Sequence, residues 1–194
     1  MLVNFGGSQL SCSDSNHSSL ILFFRGCPYK CFYCHNKELQ SGESFVDIRD
    51  ITKQILDNYL ISEVIFSGGE AMLQPAAVEE IAKFCHLIGF KVGLETSGYN
   101  SGKLDLLMRE KLIDEVFLDM KTYGEENYFK LTGVEDSWEN AENVILLCKW
   151  YDIPLQIRTT VFPDYPDLES LDEIKGLVER NGLNWKKQEG RISL

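Results

Sequence analysis

Short apolar runs alternate with helix-period segments along most of this 194-residue chain, and that alternation restricts the folds open to it. Runs at 20–24 (LILFF), 64–66, 91–95, 115–119 (EVFLD) and 154–162 (PLQIRTTVF) read as strands, with a weaker one at 183–186. Segments 47–60, 75–88, 104–112, 138–150 and 168–180 read as helices; the first carries a stripe of Ile48, Ile51, Ile55, Leu56 and Tyr59. Pro75 suits a first helical turn, and Gly89 and Asn181-Gly182 suit helix ends. Strands separated by helices of about 10–15 residues imply parallel βαβ units. A closed eight-fold barrel takes about 250 residues, so five or six units predict an α/β fold with a partial (βα)5–6 TIM-like barrel. No repeat or linker divides the chain, and a single domain over residues 1–194 is expected. Ligands in such folds gather at the C-terminal ends of the strands.

Charge excludes one class of partner. The chain has 19 Lys and Arg against 30 Asp and Glu, a net charge of −11, and lacks the basic clusters that phosphate-backbone binding needs. No apolar run reaches the length of a membrane span. The opening MLVNFGGSQL lacks the basic-then-apolar order of a signal peptide, so the expected compartment is the cytoplasm. There the six cysteines do not read as a disulfide framework. Cys85 and Cys148 sit in apolar helical patterns and read as core; Cys12, in a polar stretch, stays open.

The other three, Cys27, Cys31 and Cys34, have the spacing C-x3-C-x2-C directly after the first apolar run. Three readings compete. Structural zinc takes four ligands, and the nearby fourth candidate, His35, adjoins Cys34 at an unusual spacing. A ferredoxin cluster takes four thiolates, the fourth then being Cys12, Cys85 or Cys148. In the third reading three ligands are the design, and one iron of a cluster is left open to a small molecule.

Polar motifs end the following strands. After the second comes Ser67-Gly68-Gly69-Glu70, where glycines let backbone approach a ligand and a carboxylate can accept from an ammonium group. Glu95-Thr96-Ser97-Gly98 ends the third and suits either a ribose or a helix N-cap. Asp119-Met120-Lys121 ends the fourth, with Asp119 and Lys121 on one side of an extended chain. Arg158 lies inside the fifth, where a charge needs a ligand or an ion-pair partner. Phe23, Phe24, Phe66 and Phe117 read as core, His17 and His86 as incidental, and His35-Asn36 as residues that orient the cysteine loop.

With Tyr33 as its aromatic residue, the cysteine motif resembles the C-x3-C-x-aromatic-C hallmark of the radical S-adenosylmethionine superfamily. FFRGCPYKCFYCHN is similar to the glycyl-radical-enzyme activating proteins within it, among them the activases of pyruvate formate-lyase and of anaerobic ribonucleotide reductase. The resemblance runs from about residue 10 to residue 163. It implies a [4Fe-4S] cluster on Cys27, Cys31 and Cys34, with S-adenosyl-L-methionine chelated to the open iron by its amino and carboxylate groups. Cleavage of the sulfonium C–S bond by one electron would then yield a 5′-deoxyadenosyl radical. The resemblance places Tyr33, Ser67, Gly68, Gly69, Glu70, Glu95, Thr96, Ser97, Asp119, Lys121 and Arg158 around that cofactor. Glu70 falls at the methionine amino group, Glu95 to Ser97 at the nucleoside or a cation, and Arg158 near the methionine carboxylate. Two positions depart: Ala71 stands where the family has Pro, and Glu95 where some members have Asp. The short chain and the lack of a second cysteine cluster favour a minimal activase. It would act on a backbone glycine of a large partner, expected to be anaerobic ribonucleotide reductase, and draw electrons from a flavodoxin- or ferredoxin-type donor. The alternatives are a small-molecule enzyme of the 7-carboxy-7-deazaguanine synthase type and a non-enzymatic metal-binding module.

Overall fold

A computed structural model describes residues 1–11 and 18–190; Cys12 and His17 lie outside them. The described chain forms one eight-stranded sheet in the order β3-β1-β2-β4-β5-β6-β7-β8. Its strands are β1 (Leu2–Ser11), β2 (Ser19–Phe24), β3 (Phe45–Asp47), β4 (Glu63–Gly68), β5 (Lys91–Thr96), β6 (Glu115–Asp119), β7 (Leu155–Val161) and β8 (Asn184–Glu189). β2 and β4 to β8 are mutually parallel; β1 joins β2 and β3 antiparallel. The helices are α1 (Ile48–Asp57), α2 (Pro75–Leu87), α3 (Ser101–Arg109), α4 (Glu125–Thr132), α5 (Ser137–Tyr151) and α6 (Leu168–Asn181). This is the expected α/β fold with a partial barrel. Among the described residues no helix is long and apolar enough to cross a membrane.

Local chemistry sets the element ends. The Asp47 carboxylate accepts from Arg49 N at 2.9 Å to cap α1, and Asp167 accepts from Ser170 N at 2.7 Å to cap α6. Gly182, in the left-handed region, closes α6. Leu22, Phe24, Phe66, Leu94, Leu118 and Ile157 alternate along their strands and are fully buried. They pack with Ile51 and Ile55 of α1, Ile81 of α2, Leu104 of α3, Val144 of α5 and Ile174 of α6. Each such side chain contributes about 1.5–3 kcal/mol by leaving water. Cys85 and Cys148 are in this core, as expected. Phe23 is not: it is half-buried on the opposite face of β2.

Three elements were not expected. β1 and β3 extend the sheet at its antiparallel edge, and α4 lies between β6 and α5. β1 escapes a period-two reading because its register shifts between Phe5 and Gly7.

Candidate active site

The cysteine loop leaves β2 and folds back over the sheet. It is anchored by backbone more than by side chains. Gly26 N donates to Leu39 O at 2.8 Å, Cys27 N to Gln40 O at 3.2 Å, and Lys30 N to Thr132 O at 3.0 Å. Arg25 Nη1 donates to Glu38 O at 2.7 Å. Asn36 begins a short 3-10 turn without a side-chain cap bond, so the orienting work expected of it is done by these backbone contacts.

The loop after β4 is locked to the cysteine loop. Gly69 N donates to Phe24 O at 2.9 Å and Glu70 N to Gly26 O at 2.8 Å. A Cβ at Gly69 would lie 2.2 Å from Gly26 O, and one at Gly68 2.3 Å from the Phe24 backbone; Gly68 also has φ +119°. The sequence motif suggested glycines making room for a ligand. The backbone they make room for is that of the end of β2, at Gly68, and of the cysteine loop, at Gly69.

Glu70 ties this loop to the end of β5. Its Oε1 accepts from Thr96 Oγ1 at 3.0 Å and Met72 N at 3.2 Å; its Oε2 accepts from Ser97 Oγ at 2.6 Å and Ser97 N at 2.8 Å. Burial pushes the carboxyl pKa up, and the Ser97, Met72 and Thr96 donors oppose that. Four donors fill a carboxylate, so Glu70 acts in the protein as a strut. Thr96 and Ser97 serve this strut and not a helix cap, since α3 begins only at Ser101.

Glu95 has two partners of its own: Ser67 Oγ donates to Oε2 at 2.5 Å and Arg158 Nη1 to Oε1 at 2.7 Å. The Arg158 guanidinium also lies 4.0 Å over the Phe117 ring and donates from Nε to Gln156 at 3.0 Å. Both sequence readings of Arg158 therefore meet, an ion pair within a cavity wall. Lys121 Nζ lies 3.7 Å from Asp119 Oδ2. Burial pulls the Lys121 ammonium toward neutrality, but Tyr33, Asp119 and Cys31 outweigh it and hold the pKa well above the ordinary value.

All fourteen residues singled out in the sequence line one cavity of about 880 Å³, including the space that opens to solvent. They are Cys27, Cys31, Tyr33, Cys34, Ser67, Gly68, Gly69, Glu70, Glu95, Thr96, Ser97, Asp119, Lys121 and Arg158. Tyr29, Gln40, Met120 and Thr160 line it too and carried no sequence signal beyond proximity to the motifs. Tyr33 is buried among Phe32, Phe162 and Tyr165, with ring centroids at 5.1, 5.1 and 5.7 Å.

The donor set fits an iron–sulfur cluster. Burial pushes the Cys27 thiol up to about 11, with the Tyr29 backbone N–H and the Lys121 charge opposing, and raises Cys31 as well. Such thiols ionise near neutral pH when a metal displaces the proton. In a cluster each thiolate binds its own iron, so three thiols of one loop can serve it without meeting at a single point.

The family model described as the radical SAM superfamily matches residues 21–178. The chain is 33% identical over 178 residues to the pyruvate formate-lyase 1-activating enzyme of Escherichia coli K12, covering 87% of this chain and 71% of that one. It is 28% identical over 182 residues to the pyruvate formate-lyase-activating enzyme of Clostridium pasteurianum, covering 87% and 72%. Among solved structures, native anSMEcpe with bound AdoMet and a Kp18Cys peptide superposes with a TM-score of 0.67 at 18% identity. That match covers 87% of this chain but 49% of the other, so the chain spans about half of that larger protein.

Proposed function

Since the chain belongs to the radical SAM superfamily, its cofactors being a [4Fe-4S] cluster and S-adenosylmethionine, we propose that it is an activase that generates a glycyl radical on a large partner enzyme. What supports this reading is the gathering of three thiols and four strand-end motifs around one cavity. Two relatives bear the name of pyruvate formate-lyase activation, which favours a protein glycine over a small metabolite as hydrogen donor. Pyruvate formate-lyase and anaerobic ribonucleotide reductase are the partners to compare, with a flavodoxin- or ferredoxin-type electron donor. The setting is the cytoplasm, and the chain works as one domain.

Cys27, Cys31 and Cys34 would hold the cluster. When bound, cluster and cofactor supply one-electron cleavage of the sulfonium C–S bond and, through it, abstraction of a hydrogen atom. The chain's own residues bind and orient. Arg158, braced by Glu95 and Phe117, presents a fixed cation for the methionine carboxylate. Lys121 keeps a second positive charge on the cavity wall beside Cys31. The Glu70 strut fixes the spacing between the Gly68-Gly69 loop and Ser97. Tyr33 and its aromatic neighbours keep water from one flank. A partner glycine must approach within about 3–3.5 Å of the reacting carbon, which requires a loop that enters the cavity mouth.

The test mixes reduced protein, S-adenosylmethionine and each candidate partner. An organic doublet in electron paramagnetic resonance, with deuterium passing from partner glycine to 5′-deoxyadenosine, is the expected result. Deuterium arriving only from a small metabolite would reject the activase reading.

A further inference from the structure

The Glu70 carboxylate has no oxygen position free for a ligand amino group. The resemblance sets Glu70 at the methionine amino group, yet Met72 N, Thr96 Oγ1, Ser97 N and Ser97 Oγ already occupy its oxygens. A carboxylate has about four acceptor positions, so a fifth donor would have to displace one of these.

A second polar group stands close by. Tyr29, between Cys27 and Cys31 in sequence, is 1% exposed and lines the same cavity. Its hydroxyl is buried and has no hydrogen-bond partner. The charges that bear on it most are those of Glu70 and Lys121, and the Ser97 hydroxyl lies next to it. Ser97 Oγ, close to Tyr29 Oη, already gives its hydrogen to Glu70, so it has none to donate to the tyrosine oxygen. Leaving a buried hydroxyl unbonded is costly, so such a group on a cavity wall points to something absent from the protein alone. The ring is fixed against Tyr99 in an edge-on contact at 6.4 Å, and the backbone carbonyl accepts from Gln40 Nε2 at 3.4 Å. The hydroxyl is thus held in place before any ligand arrives.

We infer that the Tyr29 hydroxyl accepts a hydrogen bond from the α-amino group of the bound sulfonium amino acid, a contact the saturated Glu70 carboxylate cannot supply. Tyr29 is then a specificity residue: it favours ligands that carry that amino group. The inference rests on the cofactor reading above.

The experiment compares reconstituted protein with Tyr29→Phe by equilibrium dialysis. The ligands are S-adenosylmethionine and a sulfonium analogue lacking the α-amino group. The variant is expected to keep its iron and sulfide and to bind S-adenosylmethionine about tenfold more weakly, or about 1.4 kcal/mol. Both proteins should bind the analogue equally. Equal affinities for S-adenosylmethionine itself would overturn the inference and leave the cofactor reading standing. So would an equal tenfold loss with the analogue, or loss of the cluster, since either makes the hydroxyl a support of the fold. Failure of the unaltered protein to bind S-adenosylmethionine would overturn both.

Discussion

The two faces of the parallel sheet carry opposite chemistry on the same strands. Toward the helices, Leu22, Phe66, Leu94, Leu118 and Ile157 form a dry layer with no exposure. Toward the barrel interior, the residues between them are Ser67, Glu95, Asp119 and Arg158, and these line the cavity. Strand period two lets one stretch of chain do both. The outer face holds the fold by burial. The inner face spends part of that stability on charges held in low dielectric, each kept by a named partner. Lower on that face, Glu63 is fully buried and accepts from Ser19 Oγ at 2.6 Å. Glu115 neighbours it, and burial together with Glu63 lifts the Glu115 pKa to about 8.

This contrast can be broken face by face. The largest effect belongs to the cysteines: Cys27→Ala, Cys31→Ala or Cys34→Ala should abolish cluster and activity while the apoprotein keeps its circular dichroism. Cys85→Ala and Cys148→Ala, on the outer side, should keep the chromophore; iron and sulfide analysis separates the two sets. Next, Phe66→Ala should cost about 3–5 kcal/mol in denaturant unfolding, because a core ring leaves a cavity. Arg158→Ala should weaken S-adenosylmethionine binding about tenfold or more with cluster content unchanged; binding equal to the parent's would remove Arg158 from the ligand.

The smallest effect is a slope. A carboxyl that is ordinary at 4.5 in the unfolded chain and near 8 when folded binds more protons in the folded state between those values. Stability should therefore fall as pH rises from about 4.5 to 8, and Glu115→Gln should flatten that dependence in thermal melts. An unchanged slope would place the pH dependence elsewhere.

The outer face was the more legible in sequence, since its apolar residues recur at spacings that follow from strand and helix geometry. β6 was expected at its observed bounds, and β2, β4, β5 and β7 within about two residues of theirs. α4, only eight residues long, and the bulged β1 offered too little periodicity to stand out. On the inner face the motifs placed residues at the right strand ends, but not what they bond. Nothing in the order of residues says that Glu70 is filled by Thr96 and Ser97, 26 and 27 positions away. Tyr29 carries no signal in the sequence for the same reason, because a buried hydroxyl facing a cavity exists only once the chain is folded.

The lock between Gly69 and the backbone of Gly26 bears on protein engineering. The eight residues from Cys27 to Cys34 look portable, as if they could be transplanted into another scaffold of parallel strands. In this molecule they are half of a unit. Residues 68–70, more than thirty positions downstream, form the mould against which that segment is cast, and a mould carrying even one methyl group at position 69 would give it a different shape. A graft that moves the first segment without the second should be expected to bind metal erratically, and libraries that vary one should vary the other in step.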